Sequence, residues 1–565
     1  MWIATLCLAA LPQSPHTEDL SRAAPERTIF WLQTTELAPV LDEGLDHPLV
    51  RRVLDHPLVR EDLQAKGQHP EAALAFVEAL IGESPLELAA ALSRRGVGVG
   101  LLPGSETEPR AFVAMRGANL DSMEEAIDVI AAAAATFGGL EALPEAARKE
   151  LGPRVRSAWS IDDDGAEAAL SEDGTLFLAA RHDDLREATT GSGRAIELRA
   201  ARRALGQGST FAWVDLDAFE ETGALDELRQ AVEEPATHFV FGPVVAYGTA
   251  AGSLAIGVEF GESGLTVRSL ASGEVDEFGA ATFPSEKGSA ARLPLPSDDE
   301  VARAVLHRDV ATLLAQRTSL FPPRSQPAIS EGLANFALLV GGPDAVDELF
   351  ASLEPEIVLL AEHVPFEAKA VPDIELPAAC IVARLRNPEV NGPRVVGAFQ
   401  SLIALQNVQR AQEGKPGLVL GLAPLEGTTM TTAHLPPPSE GDGVDLAYNV
   451  APGCAVVGDS VVLATHHALA SRVATRIARG ETGAASGGAV DQLWMRADAV
   501  EALVAENRDL IELQSVLEDG KTEARARMEV DLLLELLGSI GTIEMTTSGG
   551  SGSPLEARLR IEWAQ

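Results

Sequence analysis

The polar residues best placed to do chemistry lie at two junctions between an apolar strand pattern and a helical pattern. His182, Asp183 and Asp184 follow one such strand, and His466 and His467 follow the other. A histidine at a junction of this kind can titrate near neutral pH or bind a metal ion. The alternative is that all five are polar residues at the exposed start of a helix. We expect this alternative to hold, so the five are candidates for a polar site and not predicted catalytic residues.

Signatures of common enzyme classes are missing from the chain. A serine hydrolase of the G-x-S-x-G type needs that turn to expose its nucleophile, a zinc peptidase needs H-E-x-x-H, and neither motif occurs. Gly96-Val97-Gly98-Val99-Gly100 resembles a dinucleotide-binding loop, but Pro103 stands at the third glycine position. This run instead predicts a strand against which another group packs closely. The sequence therefore predicts no catalytic residue, no cofactor and no metal ligand.

Length and charge bound the class of protein. A chain of 565 residues exceeds the roughly 250–300 residues at which one hydrophobic core stops growing, so we expect two large domains or four smaller ones. The formal charge of −40 disfavours a nucleic-acid partner and repels anionic surfaces. No stretch of sequence reaches the roughly 18–20 uncharged apolar residues of a membrane helix. The expected partner is therefore a protein or a small molecule.

The N-terminal segment Met1–Ser14 resembles the end of a secretory signal peptide. It has a short apolar run and small residues, Ala9 and Ala10, near a cleavage point, although the basic region that normally precedes such a run is absent. We therefore expect export to the periplasm or the cell exterior. Cys380 and Cys454 fall in predicted strands. Two buried thiols are the first interpretation, and one disulfide in an exported protein is the alternative.

The same order of elements occurs twice. Leu333–His363 reads as an apolar helix, a Gly-Gly break, a second helix and a buried strand, and Leu74–Pro103 repeats this order at an offset of 259 (333 − 74). Trp213 and Trp494 occupy matching strands further along, each followed by a helical pattern. Loop insertions account for the drift of the offset to 281 (494 − 213). We therefore predict an internal duplication.

The predicted domains follow from this repeat. Residues 28–273 form the first copy, residues 274–299 form a linker rich in Gly, Pro, Ser and charge, and residues 300–565 form the second copy. In the second copy we predict a three-strand meander from Leu446–Val450, Cys454–Val457 and Ser460–Thr465, and one long helix over Asp498–Leu517. Meanders imply antiparallel pairing. The predicted fold class is α+β, with two related domains, each a mainly antiparallel sheet backed by helices.

Two segments carry a resemblance to a known family. LSEDGTLFLAARHDDLREA at Leu170–Ala188 and VAPGCAVVGDSVVLATHHALASRV at Val450–Val473 resemble an uncharacterised family of exported bacterial proteins with a repeated domain of unknown function. The resemblance rests on apolar patterns and turns and brings no catalytic residues. It implies a location outside the cytoplasm and no assigned activity.

These observations favour a non-enzymatic exported protein of the bacterial cell envelope that binds or scaffolds an unknown partner. Two other hypotheses stay open. One is a hydrolase or peptidase-like enzyme whose site assembles between the copies, with the five polar candidates as its first residues to mutate. The other is a carrier of an apolar ligand, since a sheet backed by amphipathic helices can enclose a cleft.

Overall fold

The structure is a computed structural model that describes residues 20–34, 48–60, 78–79, 84–105, 108–134, 140–161, 165–190, 194–206, 210–220, 234–261, 263–272, 282, 292–366, 371–372, 374–436, 446–484, 490–550 and 553–564. The predicted signal peptide, Met1–Ser14, lies outside these residues, so export stays a prediction. Within the described ranges, no helix combines the length and the apolar composition needed to cross a membrane.

Two compact units divide the chain. The first comprises Met1–Asp226 and Thr249–Gly273, and the second comprises Glu227–Gly248 and Glu274–Gln565. Both units mix helices with strands, and the named strands within each unit pair antiparallel. The predicted α+β class, with a mainly antiparallel sheet backed by helices, is confirmed.

The sheet of the first unit has ten strands. They are β1 (Phe30–Thr34), β2 (Gly96–Ser105), β3 (Glu108–Arg116), β4 (Glu141–Ala142), β5 (Val155–Ser160), β6 (Glu167–Ser171), β7 (Thr175–Ala179), β8 (Thr210–Asp215), β9 (Ser253–Gly261) and β10 (Gly264–Ser272). Neighbouring strands run in the order β4-β5-β6-β7-β3-β2-β1-β8-β9-β10. Short hairpins join β5 to β6, β6 to β7 and β9 to β10, as expected of a meander.

The helices of the first unit are α1 (Pro48–Asp55), α2 (Pro85–Ser93), α3 (Leu120–Ala134), α4 (Glu145–Glu150), α5 (His182–Thr190), α6 (Ala195–Leu205) and α7 (Leu216–Glu220). One apolar cluster packs α2 and α3 against β6 and β7 through Leu88, Met123 and Leu170. A second buries Leu185 of α5 and Leu198 of α6. Apolar residues at helical spacing thus cover the sheet, as amphipathic helices do.

Two aromatic rings cover the glycines of β2. Trp31 and Phe112 are almost fully buried, with ring centroids 5.7 Å apart. A Cβ atom added at Gly98 would overlap the Trp31 ring, and one added at Gly100 would overlap the Phe112 ring. The prediction that another group packs closely against this glycine-rich strand is confirmed. Glycine is required here because any side chain would displace a ring from the core.

The strands of the second unit are β11 (Arg292–Pro294), β12 (Glu300–His307), β13 (Leu353–Glu362), β14 (Ala378–Leu385), β15 (Val419–Leu425), β16 (Thr428–His434), β17 (Gly453–Val457), β18 (Ser460–Ala464), β19 (Thr482–Ala484), β20 (Asp491–Arg496), β21 (Ile540–Gly550) and β22 (Ser553–Trp563). Its large sheet runs β15-β16-β17-β18-β14-β13-β12-β20-β21-β22. β11, within the segment predicted as a linker, pairs with β19.

The helices of the second unit are α8 (Pro235–Ala250, its last two residues excepted), α9 (Val310–Ala315), α10 (Arg317–Leu320), α11 (Gln326–Val340), α12 (Pro343–Ala351), α13 (Pro388–Gln412), α14 (His467–Ala478), α15 (Ala497–Glu506), α16 (Arg508–Asp519) and α17 (Glu523–Leu537). The predicted order of helix, Gly-Gly break, helix and strand is confirmed in α11, α12 and β13. Gly341 and Gly342 have φ angles of 101° and 122°, which favour glycine, and Pro343 then starts α12.

Two predictions about the second unit are wrong. Leu446–Asn449 is a 3₁₀ helix and not a strand, because the Asn449 side chain donates to the Ile374 carbonyl (2.7 Å) and accepts from the Leu376 amide (2.8 Å). The third meander strand is instead β16. The predicted long helix is two helices, α15 and α16, because Asn507 turns its side chain to the backbone of Glu375. In both cases an asparagine bonds a distant segment.

Cys380 and Cys454 are free thiols on strands that flank β18. Cys380 of β14 faces Ala464 of β18 in the sheet register, and Cys454 of β17 faces Leu463. Two strand spacings amount to roughly 9–10 Å, whereas a disulfide needs Cα atoms within about 7 Å. Burial raises the pKa of both thiols to about 12. The interpretation as two buried thiols is confirmed.

Candidate functional site

The first group of polar candidates starts α5 in the first unit, and its three side chains take different directions. Nδ1 of His182 donates to Glu167 at 2.7 Å, and its Nε2 lies 3.7 Å from a carboxylate oxygen of Glu150. Asp183 is exposed and forms an ion pair with Arg186 at 3.1 Å. These contacts tie α5 to neighbouring elements and do not bring the three side chains to one point.

Asp184 differs from its neighbours because it is buried. Its carboxylate lies 3.3 Å from the guanidinium of Arg110 and 3.6 Å from that of Arg27, and neither oxygen accepts a hydrogen bond. Burial raises the pKa of Asp184 above its usual value, while Arg110 and Arg27 lower it. The expectation that the candidates are all exposed is wrong for this residue.

The second group starts α14 in the second unit. The rings of His466 and His467 stack with centroids 4.9 Å apart. Nδ1 of His466 accepts from the Ala468 amide at 3.3 Å and so caps the helix, while Nδ1 of His467 donates to the Ala451 carbonyl at 3.1 Å. Burial, together with the charges of His467 and Arg472, lowers the pKa of His466 to about 4. His466 is therefore neutral at pH 7 and serves as a structural cap.

A buried ionic network in the second unit escaped the sequence patterns. Glu300 of β12 and Glu362 of β13 have no exposed surface. Arg303 binds Glu300 at 2.8 Å, and Arg472 and Arg476 of α14 bind Glu362 at 2.8 and 2.7 Å. Each buried carboxylate is thus matched by guanidinium groups, which is what such burial requires. The network fastens α14 to the sheet.

One group of side chains could hold a metal ion. His363, Glu375 and Glu506 each offer a ligand atom, and these atoms lie within 4.8 Å of one another. Asn507 fixes the backbone of Glu375 beside Glu506 through hydrogen bonds of 3.1 and 2.9 Å. Imidazole and carboxylate are ligands that zinc accepts. His363 and Glu506 are exposed, and their 4.0 Å contact also fits a surface ion pair when the imidazole is protonated.

A concave site in the second unit is a cleft between α9, α11 and α12. Its cavity volume is about 570 Å³. Most of its lining is apolar, and the full set is Ala311, Leu314, Ala315, Arg317, Ser330, Leu333, Ala334, Ala337, Pro343, Val346, Asp347, Phe350 and Ala351. The α11 residues recur at intervals of three and four, so they share one face of that helix. Alanines on this face leave the space open.

Local interactions hold the helices that form the cleft. Asp309 caps α9 by accepting from the Thr312 amide at 3.1 Å. Leu313 of α9 and Phe321, which follows α10, are buried and pack against Phe239 of α8. These contacts hold α9 and α10 in place beside the cleft. Several residues of the cleft walls lie in the sequence segment Leu333–His363, but the sequence pattern alone assigns those residues to a core.

Comparisons of the chain with known protein families, with curated proteins and with solved structures find no match. The function must therefore be argued from the geometry of the chain itself.

Proposed function

We propose that this protein is a non-enzymatic binding protein whose second unit takes a small apolar molecule into the cleft between α9, α11 and α12. The observation that carries the proposal is the cavity itself, about 570 Å³ and lined mainly by alanine, leucine, valine and phenylalanine side chains. Sites for small molecules typically enclose about 300–1,000 Å³ and combine apolar walls with a few polar groups. The cleft has both properties, with Arg317, Ser330 and Asp347 as its polar residues.

The five polar candidates do not favour an enzyme over a carrier. None of His182, Asp183, Asp184, His466 and His467 lines the cleft. Their described contacts cap a helix, anchor it to a strand or neutralise a charge. Binding therefore accounts for the cleft without requiring a catalytic group in it. Export to the bacterial envelope, and membership of the exported family that the sequence resembles, remain part of the proposal.

We also propose that the two units descend from one duplicated domain. The ten strands of each sheet can be numbered in chain order, β1 to β10 in the first unit and β12 to β18 followed by β20 to β22 in the second. In these numbers, neighbouring strands of both sheets follow the order 4-5-6-7-3-2-1-8-9-10. An identical order of ten strands supports common descent, because antiparallel sheets allow many other orders. The fourth strands differ in length, since β4 has two residues and β15 has seven.

A pair of tryptophan substitutions on α11 tests the binding proposal. Ala334 is exposed and lines the cleft, so Ala334→Trp fills the cavity. Leu338, which is 83% exposed on the same helix, does not line it, so Leu338→Trp is the matched control. The neutral fluorophore N-phenylnaphthylamine should bind the wild type and the control at one site, and the Ala334→Trp variant at least tenfold more weakly. Equal binding by all three proteins would refute the proposed site.

A further inference from the structure

Arg317 is the one arginine of the cleft lining, and it lacks a carboxylate partner. Its Nη1 donates to the Leu314 carbonyl at 2.9 Å, and its Nε is buried without a hydrogen-bond acceptor. No ion pair to Arg317 occurs among the residues that the structure describes. A buried donor without an acceptor is unfavourable, so the side chain is available to donate a hydrogen bond to an acceptor that the protein itself does not supply.

Other arginines with an unsatisfied Nε show that this arrangement is unusual. Arg472 and Arg476 also have a buried Nε without an acceptor, but each binds Glu362 through another nitrogen. Arg308 is paired with Asp491. The chain carries 84 acidic residues against 44 lysines and arginines, so carboxylates are abundant. Arg116 and Arg268, whose Nε atoms are also buried, lie 3.2 and 4.0 Å from a carboxylate. Among the described arginines of this kind, Arg317 alone has no carboxylate partner, which an anion from outside explains.

The Nε–Nη2 edge of a guanidinium can bind a carboxylate through two parallel hydrogen bonds. Nε and Nη2 of Arg384 bind Asp459 at 3.1 and 2.8 Å, and Nε and Nη2 of Arg27 bind Glu187 at 3.0 and 2.6 Å. Arg317 uses only Nη1, which leaves the same edge unused. Two parallel N–H groups match the two oxygens of a carboxylate. Because Nε is covered in this conformation, the guanidinium must turn slightly to present that edge.

We infer that the ligand of the cleft is an amphiphile with an apolar chain and a carboxylate head, of the fatty-acid type, with its head bound by Arg317. This inference rests on the proposed function. Leu333, Val346 and Phe350 supply the apolar surface for the chain. Asp347 also lines the cleft and is exposed, so it repels an anion placed beside it. Arg317 is thus a specificity-determining residue.

Decanoate and decanol, which share a chain length and differ in the head group, test the inference by calorimetry on the full chain. The wild type should bind decanoate roughly tenfold or more tightly than decanol, as expected of a charge-assisted hydrogen bond in place of a neutral one. Arg317→Gln should bind the two equally, and Arg317→Lys should keep part of the preference. Arg410→Gln, an arginine of α13 outside the cleft, should behave as the wild type.

The outcomes separate the two proposals. Equal affinity of the wild type for decanoate and decanol overturns the carboxylate inference and leaves an apolar binding site in place. A preference that survives in Arg317→Gln assigns the head group to another residue and also overturns the inference. Binding of neither compound to the wild type overturns the proposed function. Circular dichroism of each variant verifies that a lost preference does not come from a lost fold.

Discussion

Arg308 and Asp491 form a doubly hydrogen-bonded ion pair inside the second unit. Nη1 and Nη2 of Arg308 donate to the two carboxylate oxygens at 2.7 and 2.8 Å, and the two side chains are 1% and 2% exposed. The guanidinium also donates to the Phe239 and Val240 carbonyls of α8. The pair therefore joins the end of β12 and the start of β20 to α8, close to the helices that carry the cleft.

Removing one member of this pair should strongly destabilise the second unit. Asp491→Ala leaves the Arg308 charge buried without its partner, which typically costs about 3–5 kcal/mol. As a control, Glu348→Ala breaks an exposed ion pair with Arg394 and should cost less than about 1 kcal/mol. Urea denaturation measures both. A loss below about 1 kcal/mol for Asp491→Ala would show that the pair does not hold these elements together.

A methyl group at Gly98 should also be destabilising, because it meets the Trp31 ring in a core without spare room. We expect Gly98→Ala to cost about 1–3 kcal/mol, the usual range for overpacking. Gly397 of α13 has open space around its Cα, so Gly397→Ala should stabilise the protein by up to about 1 kcal/mol. Thermal unfolding should show a lower melting temperature for Gly98→Ala and a higher one for Gly397→Ala. Shifts in the same direction would contradict the packing described for β2.

Local signals in the sequence predict much of this fold. Gly341, Gly342 and Pro343 mark the break between α11 and α12, because a positive φ and a fixed φ are properties of the residues themselves. The element ends at Asn449 and Asn507 cannot be predicted from local signals of this kind. Their side chains end elements by bonding a segment more than 70 residues away, as the separations of 73 and 132 residues show. The spacing of apolar residues in the sequence does not predict such contacts.

Stability should depend on pH through Asp184. Burial raises the pKa of this carboxyl, so the folded state keeps the proton to a higher pH than the unfolded state does. Ionisation therefore removes stability as the pH rises from the usual carboxyl value of about 4 through the raised pKa. Asp184→Asn cannot ionise, and its melting temperature relative to the wild type should increase from about pH 4 to about pH 7.

The exposed neighbour Asp183 provides the control for this pH series. Asp183→Asn removes an exposed carboxylate that pairs with Arg186, so it should change the melting temperature little. If Asp184→Asn instead loses stability relative to the wild type as the pH rises, the attraction of Arg27 and Arg110 outweighs burial. The structural account of Asp184 would then be wrong.

Cys380 and Cys454 should resist alkylation until the second unit unfolds. Both are buried, and a pKa of about 12 leaves almost no thiolate at pH 8. Iodoacetamide at pH 8 should leave both peptides unmodified in the native protein and modify both in denaturant, as read by mass spectrometry. A peptide pair joined by a Cys380–Cys454 disulfide would contradict the strand arrangement around β18.

The candidate site was much less predictable than the fold. The sequence draws attention to histidines and aspartates, and the structure gives most of those side chains capping and anchoring contacts. Arg317 gives no signal in the sequence, because its distinguishing property is a buried Nε without a carboxylate partner, which depends on the packing of the helices around the cleft. The alanines of α11 are a weak signal, since small residues on an apolar face occur in packed cores as often as in cavities.

Alanine-methyl NMR during a titration with decanoate tests the central claim most directly. The claim predicts that the methyl signals of the cleft alanines shift and saturate together, whereas alanines buried elsewhere in the second unit do not. The cleft alanines are Ala311, Ala315, Ala334, Ala337 and Ala351, and the buried controls are Ala398 and Ala470. Unmoved signals from the first set at saturating decanoate, or equal shifts in both sets, would contradict a ligand site between α9, α11 and α12.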